Sequence, residues 1–483
     1  MKKKILGVIM VTLMLTMGFA IAGMASETKE LAPGVEYKVR RDLANLSGER
    51  LAVHIITVDS SVRDIEVKPV NAGNRIGDTE TLSSMAGKYG AVAAINGGFY
   101  GNQQGRRLPI GNLLLEGQLL SQSHYNRTSM GISGANEVMF GFFNPVTRVI
   151  MPGGELVEVT AVNTFGGERG VYFYTGEWNG TVSGGERLNL VLEQRDGQNY
   201  KIAQITSGTV TVKPGQAVLS FRGEQRDLGN NLHVGALLRK DVQYNADFWS
   251  RAEHLLTAGP LLVDKGEPVF QAIDEGFTGS VLQPNPRSAI GKTADGKLLM
   301  VVAESHNGGS GRVGLTLEEM ALLMAQLGAV EAMGLDSGGS STLWAGDKVV
   351  NRVANYQRSI PNAILVLVGP KLYMNGERIY PDVPPVISEG RTLVPLRIMM
   401  EELGAQVDWD GATRTVTVTR ENQNIKLQLN NNKAQVDGKE YVLDVPAQLV
   451  DGRTMIPVRF VTEALNGQVN WNAEQRKIEL FLR

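Results

Sequence analysis

Short apolar runs separated by glycine-rich turns recur along this chain and predict many short β-strands. Residues 51–59 form a β-branched run and residues 65–70 alternate between apolar and polar positions, so both are predicted strands. His54 falls inside the first of them and is predicted to be a packed histidine. The many short strands and turns of residues 113–218 predict an antiparallel insertion. Further buried strands are predicted at residues 91–95, 297–303 and 329–335.

Two segments have helical signals. Residues 79–88 predict a helix that ends before Gly90, and Thr316-Leu317-Glu318-Glu319 is a capping box. Apolar residues then recur at helical spacing up to Gly328, which predicts a second helix packed on a core. Strands and helices together predict an α+β fold, in which a mixed β-sheet domain carries packed helices and a β-rich insertion.

Polar side chains follow three of the predicted strands. Asn96 precedes Gly97-Gly98, Glu304 precedes Ser305-His306-Asn307-Gly308-Gly309, and Asp336 precedes Ser337-Gly338-Gly339. If the three strands are parallel neighbours, their polar ends meet at one edge of a sheet, where α/β proteins bind ligands. The alternative is three tight turns in which the polar side chains cap their own backbone.

The segment around Asp336 has the strongest chemical signal in the chain. It combines one carboxylate, two adjacent glycines and the hydroxyl groups of Ser340, Ser341 and Thr342. Glycines let a ligand approach the backbone closely, and successive free N–H groups can form an anion-binding concavity. We therefore expect the segment to form the floor of an active site for a negatively charged sugar derivative.

Arg287 is the candidate for the anionic group of that ligand. It lies between Pro286 and the small residues that begin a strand, a position suited to a guanidinium aimed at phosphate or carboxylate. The alternative for any single arginine is a surface salt bridge.

Composition and charge narrow the function classes. A chain of 483 residues has room for two or three domains, and a net charge of -2 excludes the excess of basic residues that nucleic-acid binding needs. The chain has no cysteine, which excludes disulfides, thiolate metal sites and a cysteine nucleophile. With five histidines, a His-rich zinc site is not expected.

The N-terminus has the pattern of a secretory signal. Lys2, Lys3 and Lys4 precede an apolar stretch over residues 5–22, and small residues at 23 and 25 predict cleavage before Ser26. An uncleaved membrane anchor is the alternative. We therefore expect an exported protein, secreted or associated with a bacterial cell envelope, and with no membrane segment after cleavage.

The C-terminal region contains an internal repeat. Residues 390–397 match residues 452–459, and residues 407–410 match residues 469–472, both at an offset of 62. Each unit predicts a hairpin, a helix led by proline and further strands, so we expect a smaller α+β domain built from two repeats. The equivalent residues Trp409 and Trp471 are predicted to be core residues, with stacking on sugars as the alternative.

The motifs resemble two known families. Residues 94–100, Pro286-Arg287-Ser288-Ala289-Ile290-Gly291, the capping box and residues 335–343 together resemble the phosphodiester glycosidase family, in the family's order. This chain has Asp336-Ser337-Gly338-Gly339-Ser340 where the family usually has Asp-Gly-Gly-Gly-Ser, and Glu304-Ser305-His306 in place of an Asp-Gly-Arg type turn. The repeats resemble the copper amine oxidase N-terminal-like domain, a name that does not imply copper. We expect a signal peptide at 1–25, a catalytic domain at 26–368 and the repeat domain at 369–483.

The first resemblance implies hydrolysis of a sugar-1-phosphodiester, such as an N-acetylglucosamine-1-phosphodiester, at the C1–O bond. Asp336 and Glu304 are then the catalytic carboxylates, with His306 as a proton shuttle. Arg287 holds the phosphate and Asn96 orients the sugar or water. The other expected substrate contacts are Gly97, Gly98, Gly338, Gly339, Ser340, Ser341 and Thr342.

The substrate is expected to be a phosphosugar or a cell-envelope polysaccharide, and the repeats are expected to bind the envelope. No cofactor is expected, while a structural or catalytic divalent cation is left open. Two other functions are left open as well. One is a metal-dependent phosphodiesterase that breaks the P–O bond, with Asp336, Glu304 and His306 as ligands. The other is a non-catalytic protein that binds envelope polysaccharide.

Overall fold

The computed structural model describes most of the chain after the N-terminal segment. The described residues are 28–62, 64–122, 125–306, 313–353, 356–421, 423–450, 452–472 and 477–482. The predicted signal peptide at 1–25 and the Asn307-Gly308-Gly309 part of the polar cluster lie outside them. None of the helices in the described ranges is long and apolar enough to cross a membrane.

Two sheets form the centre of the N-terminal part. Sheet A has the strand order β1 (Thr28–Ala32), β2 (Val35–Arg40), β3 (Leu51–Val58), β26 (Leu298–Ser305), β25 (Arg287–Thr293), β27 (Ala329–Gly334), β23 (Leu261–Asp264) and β24 (Glu267–Pro268). Sheet B has the order β29 (Lys348–Val349), β28 (Leu343–Ala345), β5 (Ala93–Asn96), β30 (Asn362–Val368) and β4 (Ile65–Asn71). The strands predicted at 51–59, 65–70, 91–95, 297–303 and 329–335 are thereby confirmed.

The predicted β-rich insertion forms further antiparallel sheets. Sheet C has the order β11 (Val138–Phe142), β10 (Thr128–Ser133), β22 (Ala252–Thr257), β8 (Leu113–Leu115) and β9 (Gln118–Ser121). Sheet D has the order β13 (Leu156–Glu158), β12 (Val146–Ile150), β21 (Leu237–Gln243), β18 (Asn199–Thr206), β17 (Arg187–Gln194), β20 (Gln216–Arg222), β15 (Gly170–Tyr174) and β14 (Ala161–Val162). Two small pairs are β6 (Tyr100–Gln103) with β7 (Arg106–Pro109), and β16 (Thr181–Val182) with β19 (Val210–Thr211).

Helices cover the outer faces of the two central sheets. Helix α1 (Leu82–Lys88) is capped by Thr81, and helix α2 (Leu317–Gln326) begins with the predicted capping box at Thr316. The inner faces of sheets A and B share one hydrophobic core. Helix α2 packs on the outer face of sheet A and α1 on that of sheet B. The order of layers is therefore helix, sheet, sheet, helix.

The overall fold is largely β, with 50% strand and 12% helix, so the expected α+β class is only loosely supported. The expectation of parallel neighbouring strands is wrong. Strands β26 and β27 run in the same direction but are separated by β25, which is antiparallel to both. Strand β5, which ends at Asn96, belongs to the other sheet. The polar strand ends therefore approach each other across a sheet-to-sheet junction instead of along one edge.

The C-terminal repeats exchange strands. The first hairpin of repeat one, β31 (Lys371–Met374) and β32 (Glu377–Ile379), joins the last hairpin of repeat two, β42 (Gln468–Asn472) and β43 (Lys477–Phe481). The converse sheet has the order β35 (Gln406–Asp410), β36 (Thr415–Arg420), β37 (Gln423–Gln428), β38 (Lys433–Val436) and β39 (Lys439–Val442). A third sheet contains β33 (Val386–Ser388), β34 (Arg391–Pro395), β41 (Arg453–Pro457) and β40 (Gln448–Val450).

Each repeat also contains the predicted proline-led helix. Helix α3 (Leu396–Glu401) begins after Pro395 and helix α4 (Val458–Ala464) after Pro457. The expectation that the two tryptophans belong to the core is wrong, because Trp409 is 44% exposed and Trp471 38%. Both lie on outer strands of their sheets, where fewer neighbouring strands cover them.

Buried charges join the repeats to the N-terminal part. Glu66 and Lys68 alternate with apolar residues on β4, and both are buried. Arg378 donates from Nη1 to Glu66 Oε1 at 3.1 Å, while Lys68 Nζ donates to Glu116 Oε1 at 3.0 Å and also contacts the Tyr380 hydroxyl. The polar positions of the alternating pattern that predicted this strand therefore face the repeat domain and are buried by it.

We expect Arg378→Ala to lower the free energy of unfolding of the full chain by about 3 kcal/mol, because Glu66 would remain buried without its bidentate partner. The measurement is urea unfolding. Arg169→Ala is the matched control, since Arg169 pairs with Glu224 at the surface and exposed pairs contribute at most about 1 kcal/mol. Adding Glu66→Gln to Arg378→Ala should restore part of the loss. A loss no larger than that of the control would contradict the assignment.

Candidate active site

The junction of sheets A and B brings Asp336 beside the Asn96-Gly97-Gly98 segment. Leu335, the residue directly after β27, still pairs with the neighbouring strand β25, because its N–H donates to Ser288 O at 2.9 Å. Asp336 N–H then turns away to Gly97 O at 3.0 Å. Two of the three predicted strand ends therefore meet through their backbones.

Asn96 is the polar centre of this junction. It is fully buried, its Nδ2 donates to Asp336 O at 2.7 Å, and its Oδ1 accepts from Ser288 Oγ at 2.7 Å and Thr342 N–H at 3.1 Å. Each amide atom already has a protein partner. Asn96 therefore positions the loop that carries Asp336, which corrects the expectation that it orients a sugar or water directly.

Gly97 and Gly98 serve close packing. A Cβ at Gly97 would lie 2.0 Å from Asn362 Oδ1, and one at Gly98 would lie 2.6 Å from Thr257 O. Their N–H groups donate to the backbone oxygen and to Oδ1 of Asn362, at 3.0 and 2.8 Å. These glycines are needed for the junction itself, and their N–H groups are already occupied, so the expectation that they contact substrate is replaced by a structural role.

The loop after Asp336 is held by its own hydrogen bonds. Gly338 has φ +65°, and its N–H donates to Pro286 O at 2.8 Å. Ser341 Oγ also donates to Pro286 O, and Thr342 Oγ1 donates to Ser340 O, both at 3.1 Å. Among the described residues, the N–H of Gly339 has no acceptor, so it is the backbone donor that remains for a ligand.

Arg358 lies directly over Gly339, and the sequence motifs did not indicate it. A Cβ at Gly339 would lie 2.4 Å from Arg358 Nη2, so a side chain at this position would displace the guanidinium from where it lies. Arg358 Nη1 is 3.5 Å from Ser340 Oγ, and the side chain is exposed. An exposed guanidinium beside an unoccupied N–H is a suitable site for a phosphate group.

Asp336 is a carboxylate in an unfavourable environment. It retains some solvent-accessible surface, yet protein atoms crowd it from most directions, and this burial raises its pKa to about 6. The Ser337 N–H donates to it at 2.9 Å, and this bond, the nearby Ser340 hydroxyl and the charge of Arg358 hold the pKa below the value that burial alone would give. A carboxyl group with its pKa near 6 is typical of catalytic sites.

Arg287 has a different role from the predicted one. It is fully buried, because its side chain points to the outer face of sheet A, towards the segment that leads into α2. Nε donates to Leu315 O at 2.8 Å, and Nη2 donates to the carbonyls of Val281 and Gln283 at 2.8 and 2.6 Å. Burial lowers its pKa to about 10. Arg287 therefore holds backbone segments together inside the protein, and its guanidinium is not available to a ligand at the surface.

Glu304 lies at the end of β26, buried in a polar chain. Its Oε1 accepts from Arg352 N–H at 2.8 Å and lies 3.5 Å from His54 Nε2, while His54 Nδ1 is 2.8 Å from the Tyr37 hydroxyl. His54 is packed, as predicted. Gly334, the last residue of β27, and Val301 of β26 both pair with Ala289 of β25, so β26 continues past the end of β27 before it reaches Glu304. Glu304 thus supports the segment from 350 to 353, and its catalytic role remains a prediction.

His306 is half-buried just beyond β26, and its N–H donates to Arg50 O at 2.8 Å. The described residues contain no group of three or more His, Asp or Glu side chains arranged to hold a metal ion. The proposed ligand set of Asp336, Glu304 and His306 is therefore not assembled in this part of the chain. The role of His306 as a proton shuttle remains a prediction.

Comparisons with known proteins agree with this architecture. Residues 89–367 match the phosphodiester glycosidase family, and residues 373–480 match the copper amine oxidase N-terminal domain. The crystal structure of a hypothetical protein from Synechocystis is 25% identical in sequence and has a TM-score of 0.63. The match covers 72% of this chain and 64% of that protein's chain. A Burkholderia pseudomallei K96243 protein described as exported is 20% identical with a TM-score of 0.56, covering 66% and 74%.

The catalytic domain of zebrafish N-acetylglucosamine-1-phosphodiester alpha-N-acetylglucosaminidase, auto-inhibited by its pro-peptide, is 15% identical with a TM-score of 0.38, and covers 71% of this chain and 88% of its own. No curated protein matches the chain. The matched family defines a protein of glycosidase type. The chain belongs to the phosphodiester glycosidase family, since the match spans more than half of its length, and it carries a C-terminal copper amine oxidase N-terminal domain. Both resemblances inferred from the motifs are confirmed.

Proposed function

We propose that this protein hydrolyses a sugar-1-phosphodiester at the C1–O bond, releasing the free sugar and a phosphomonoester. The observation that carries the proposal is the pairing of a carboxyl group of raised pKa, Asp336, with the guanidinium of Arg358 above the Gly338-Gly339 loop. The carboxylate of Asp336 can stabilise the positive charge that develops at C1, and the guanidinium of Arg358 can bind the phosphate. Membership of the phosphodiester glycosidase family supports the same reaction class.

The phosphate is held by Arg358 and by the N–H of Gly339. The guanidinium offers two parallel N–H donors to phosphate oxygens, a bidentate geometry that both binds and orients the group. As the C1–O bond breaks, the bonding electron pair leaves with the phosphate oxygen. Arg358 stabilises the charge that collects there, so the leaving group needs little help from a general acid.

Asp336 acts on the sugar side in its ionised form. Loss of the phosphate leaves an oxocarbenium-like centre at C1, and a nearby carboxylate stabilises it. Water then supplies the hydroxyl group at C1 and the proton that the products require. The Ser337 N–H, which donates to Asp336 Oδ1 at 2.9 Å, keeps the carboxylate oriented. Glu304 and His306 remain the predicted partners for proton transfer to and from this water.

The natural substrate is proposed to be a phosphosugar or an envelope polysaccharide with phosphodiester links, an N-acetylglucosamine-1-phosphodiester being the model compound. The basic N-terminal start and its apolar stretch support export to the envelope or the medium. The domain boundaries proposed are those at residues 25 and 368.

Product identification tests the reaction. The mature protein is incubated with an α-N-acetylglucosamine-1-phosphodiester, with and without a chelator. Free sugar and phosphomonoester in both arms are expected. Sugar-1-phosphate that disappears with the chelator would instead indicate a metal-dependent phosphodiesterase. Binding without any product would indicate a polysaccharide-binding protein.

The pH profile follows from the pKa of Asp336. Because the ionised form is the active one, we expect kcat/KM to fall as the pH drops through about 6 and to be level above it. The measurement is kcat/KM from pH 4.5 to 8.5 at constant ionic strength. Activity that rises on acidification through this range would show that the protonated form of Asp336 is the active one.

A further inference from the structure

A cleft of about 670 Å³ lies where the end of α1 meets the C-terminal repeats. Among the residues that line it are Lys88, Tyr380, Arg397, Trp409, Leu449 and Arg453. Its volume falls within the range of about 300–1,000 Å³ that is usual for ligand sites. No step of the reaction above uses it.

The cleft offers an apolar platform. Trp409 is 44% exposed and Leu449 is 54% exposed, although large apolar side chains normally lie in the core. The repeat provides an internal comparison. Trp471 occupies the equivalent position in repeat two and is similarly exposed, but it does not line the cleft. The cleft therefore distinguishes two otherwise equivalent tryptophans.

Charged groups surround this platform. Arg453 Nε donates to Asp382 Oδ2 at 2.7 Å, and Arg397 Nε lies 3.9 Å from Glu401 Oε1. With Lys88, the cleft lining contains three cations and two carboxylates. The planar guanidinium and carboxylate groups of these pairs are held in fixed directions, so they can form directed hydrogen bonds to sugar hydroxyl groups. The excess of one positive charge complements an anionic group on the ligand.

We propose that this cleft binds a phosphate-bearing polysaccharide. The indole of Trp409 stacks on the apolar face of a pyranose ring, because sugars present C–H groups on one face and hydroxyl groups around the rim. The Arg453–Asp382 pair binds the hydroxyl groups, and Lys88 and Arg397 bind the phosphate. The choice of a phosphate-bearing polymer rests on the proposed function, whereas the cleft and its exposed tryptophan do not.

The cleft lies apart from the candidate active site. A Cβ added at Gly90, which precedes β5, would lie 2.7 Å from the Pro381 carbonyl oxygen and 2.8 Å from that of Asp382, while Asn96 ends β5 at the junction of sheets A and B. The two sites therefore lie at opposite ends of this strand. A long polymer held at the cleft raises the local concentration of its phosphodiester links at the active site without taking part in the reaction.

Binding is tested in the full chain with Asp336→Asn, so that the polymer is not degraded. The probe is a soluble α-linked N-acetylglucosamine 1-phosphate polymer, with a neutral β-glucan for comparison, and the readout is calorimetry. We expect Trp409→Ala to weaken binding of the polymer at least tenfold, Trp409→Phe to retain most of it, and Trp471→Ala to bind within twofold of the parent. The neutral glucan should bind at least tenfold more weakly than the polymer.

Several results would overturn the proposal. These are polymer affinity unchanged by Trp409→Ala, equal losses in the Trp409 and Trp471 variants, equal affinity for the neutral glucan, or no saturable binding. Kinetics of Trp409→Ala in the otherwise wild-type, active enzyme distinguish the cleft proposal from the proposed reaction. Trp409→Ala should raise KM for the polymer but leave kcat/KM for a small soluble diester unchanged. If the enzyme does not turn over the small diester but polymer binding still depends on Trp409, the proposed reaction is disproved and the proposed binding cleft still stands.

Discussion

Asp336→Asn is expected to lower kcat/KM for a sugar-1-phosphodiester by at least about 1,000-fold, because the neutral amide cannot stabilise positive charge at C1. The same variant should be more stable than the wild type at pH 7.5. Burial raises the pKa of Asp336 to about 6 from an ordinary value of 3.8, so ionisation of the folded protein carries a cost. Asparagine avoids that cost, which amounts to about 2–3 kcal/mol.

The sign of the stability effect can be checked against pH. A carboxyl group whose pKa is raised on folding stabilises the protein fully below its unfolded pKa, and this stabilisation is lost as the pH rises through the folded value. The advantage of Asp336→Asn should therefore be largest above pH 6 and vanish near pH 4. Urea unfolding at several pH values measures it. Asp347→Asn, an exposed aspartate in a nearby turn, is the control and should change neither activity nor stability. Near-normal turnover in Asp336→Asn would remove this residue from the reaction.

Arg358→Ala should be the second most damaging change. Loss of the guanidinium removes the charge-assisted contact to phosphate, and we expect a fall of about 100-fold in kcat/KM, equivalent to about 2.7 kcal/mol. Because the charge of Arg358 lowers the pKa of Asp336, its removal should also move the acid limb of the pH profile to higher pH. Steady-state kinetics across pH measure both effects.

Two further variants sharpen this test. Arg358→Lys keeps the charge but not the bidentate geometry, so it should recover only part of the activity and most of the original pH limb. Arg195→Ala removes an exposed arginine from a hairpin turn in the insertion and should leave kcat/KM unchanged. If Arg358→Ala lost activity without any shift of the pH limb, the electrostatic link between Arg358 and Asp336 would be disproved.

The raised pKa of Asp336 illustrates a trade between stability and activity. The Gly-rich loop, Asn96 and Ser288 hold the carboxylate in a crowded position that the folded protein would avoid if stability alone mattered. Sites that hold a destabilised ionisable group in this way are typical of catalysis. The remaining hydrogen bonds of the loop keep the group in place when it ionises.

Local patterns predicted most of the elements. The capping box at Thr316, the β-branched run of β3 and the 62-residue repeat each depend on neighbours along the chain, and each is present. The motif around Asp336 also pointed to the carboxylate on which the proposed site is built, and its catalytic role stays a prediction. These inferences succeed because backbone propensity, side-chain alternation and helix capping act over a few residues.

Other properties depended on residues far apart in the chain. The sequence did not reveal that Arg287 would point beneath α2, that Asn96 would bond to both sheets, or that Arg358 would lie over Gly339. An arginine beside a proline has the same sequence signal whether it faces a ligand or a buried carbonyl. Strand pairing decides between the two, because it sets which face of the sheet each side chain occupies.

By itself, then, the sequence determined the motif families, the strands and helices, the repeat and the acidic residue of the proposed site. The tertiary structure alone decided which polar residues are supports and which face solvent. It separated Asn96 and Arg287, which are fully buried, from Asp336, which is partly buried, and Arg358, which is exposed. Burial and charge separation are sums over all neighbouring atoms, so they exist only once the sheets have packed.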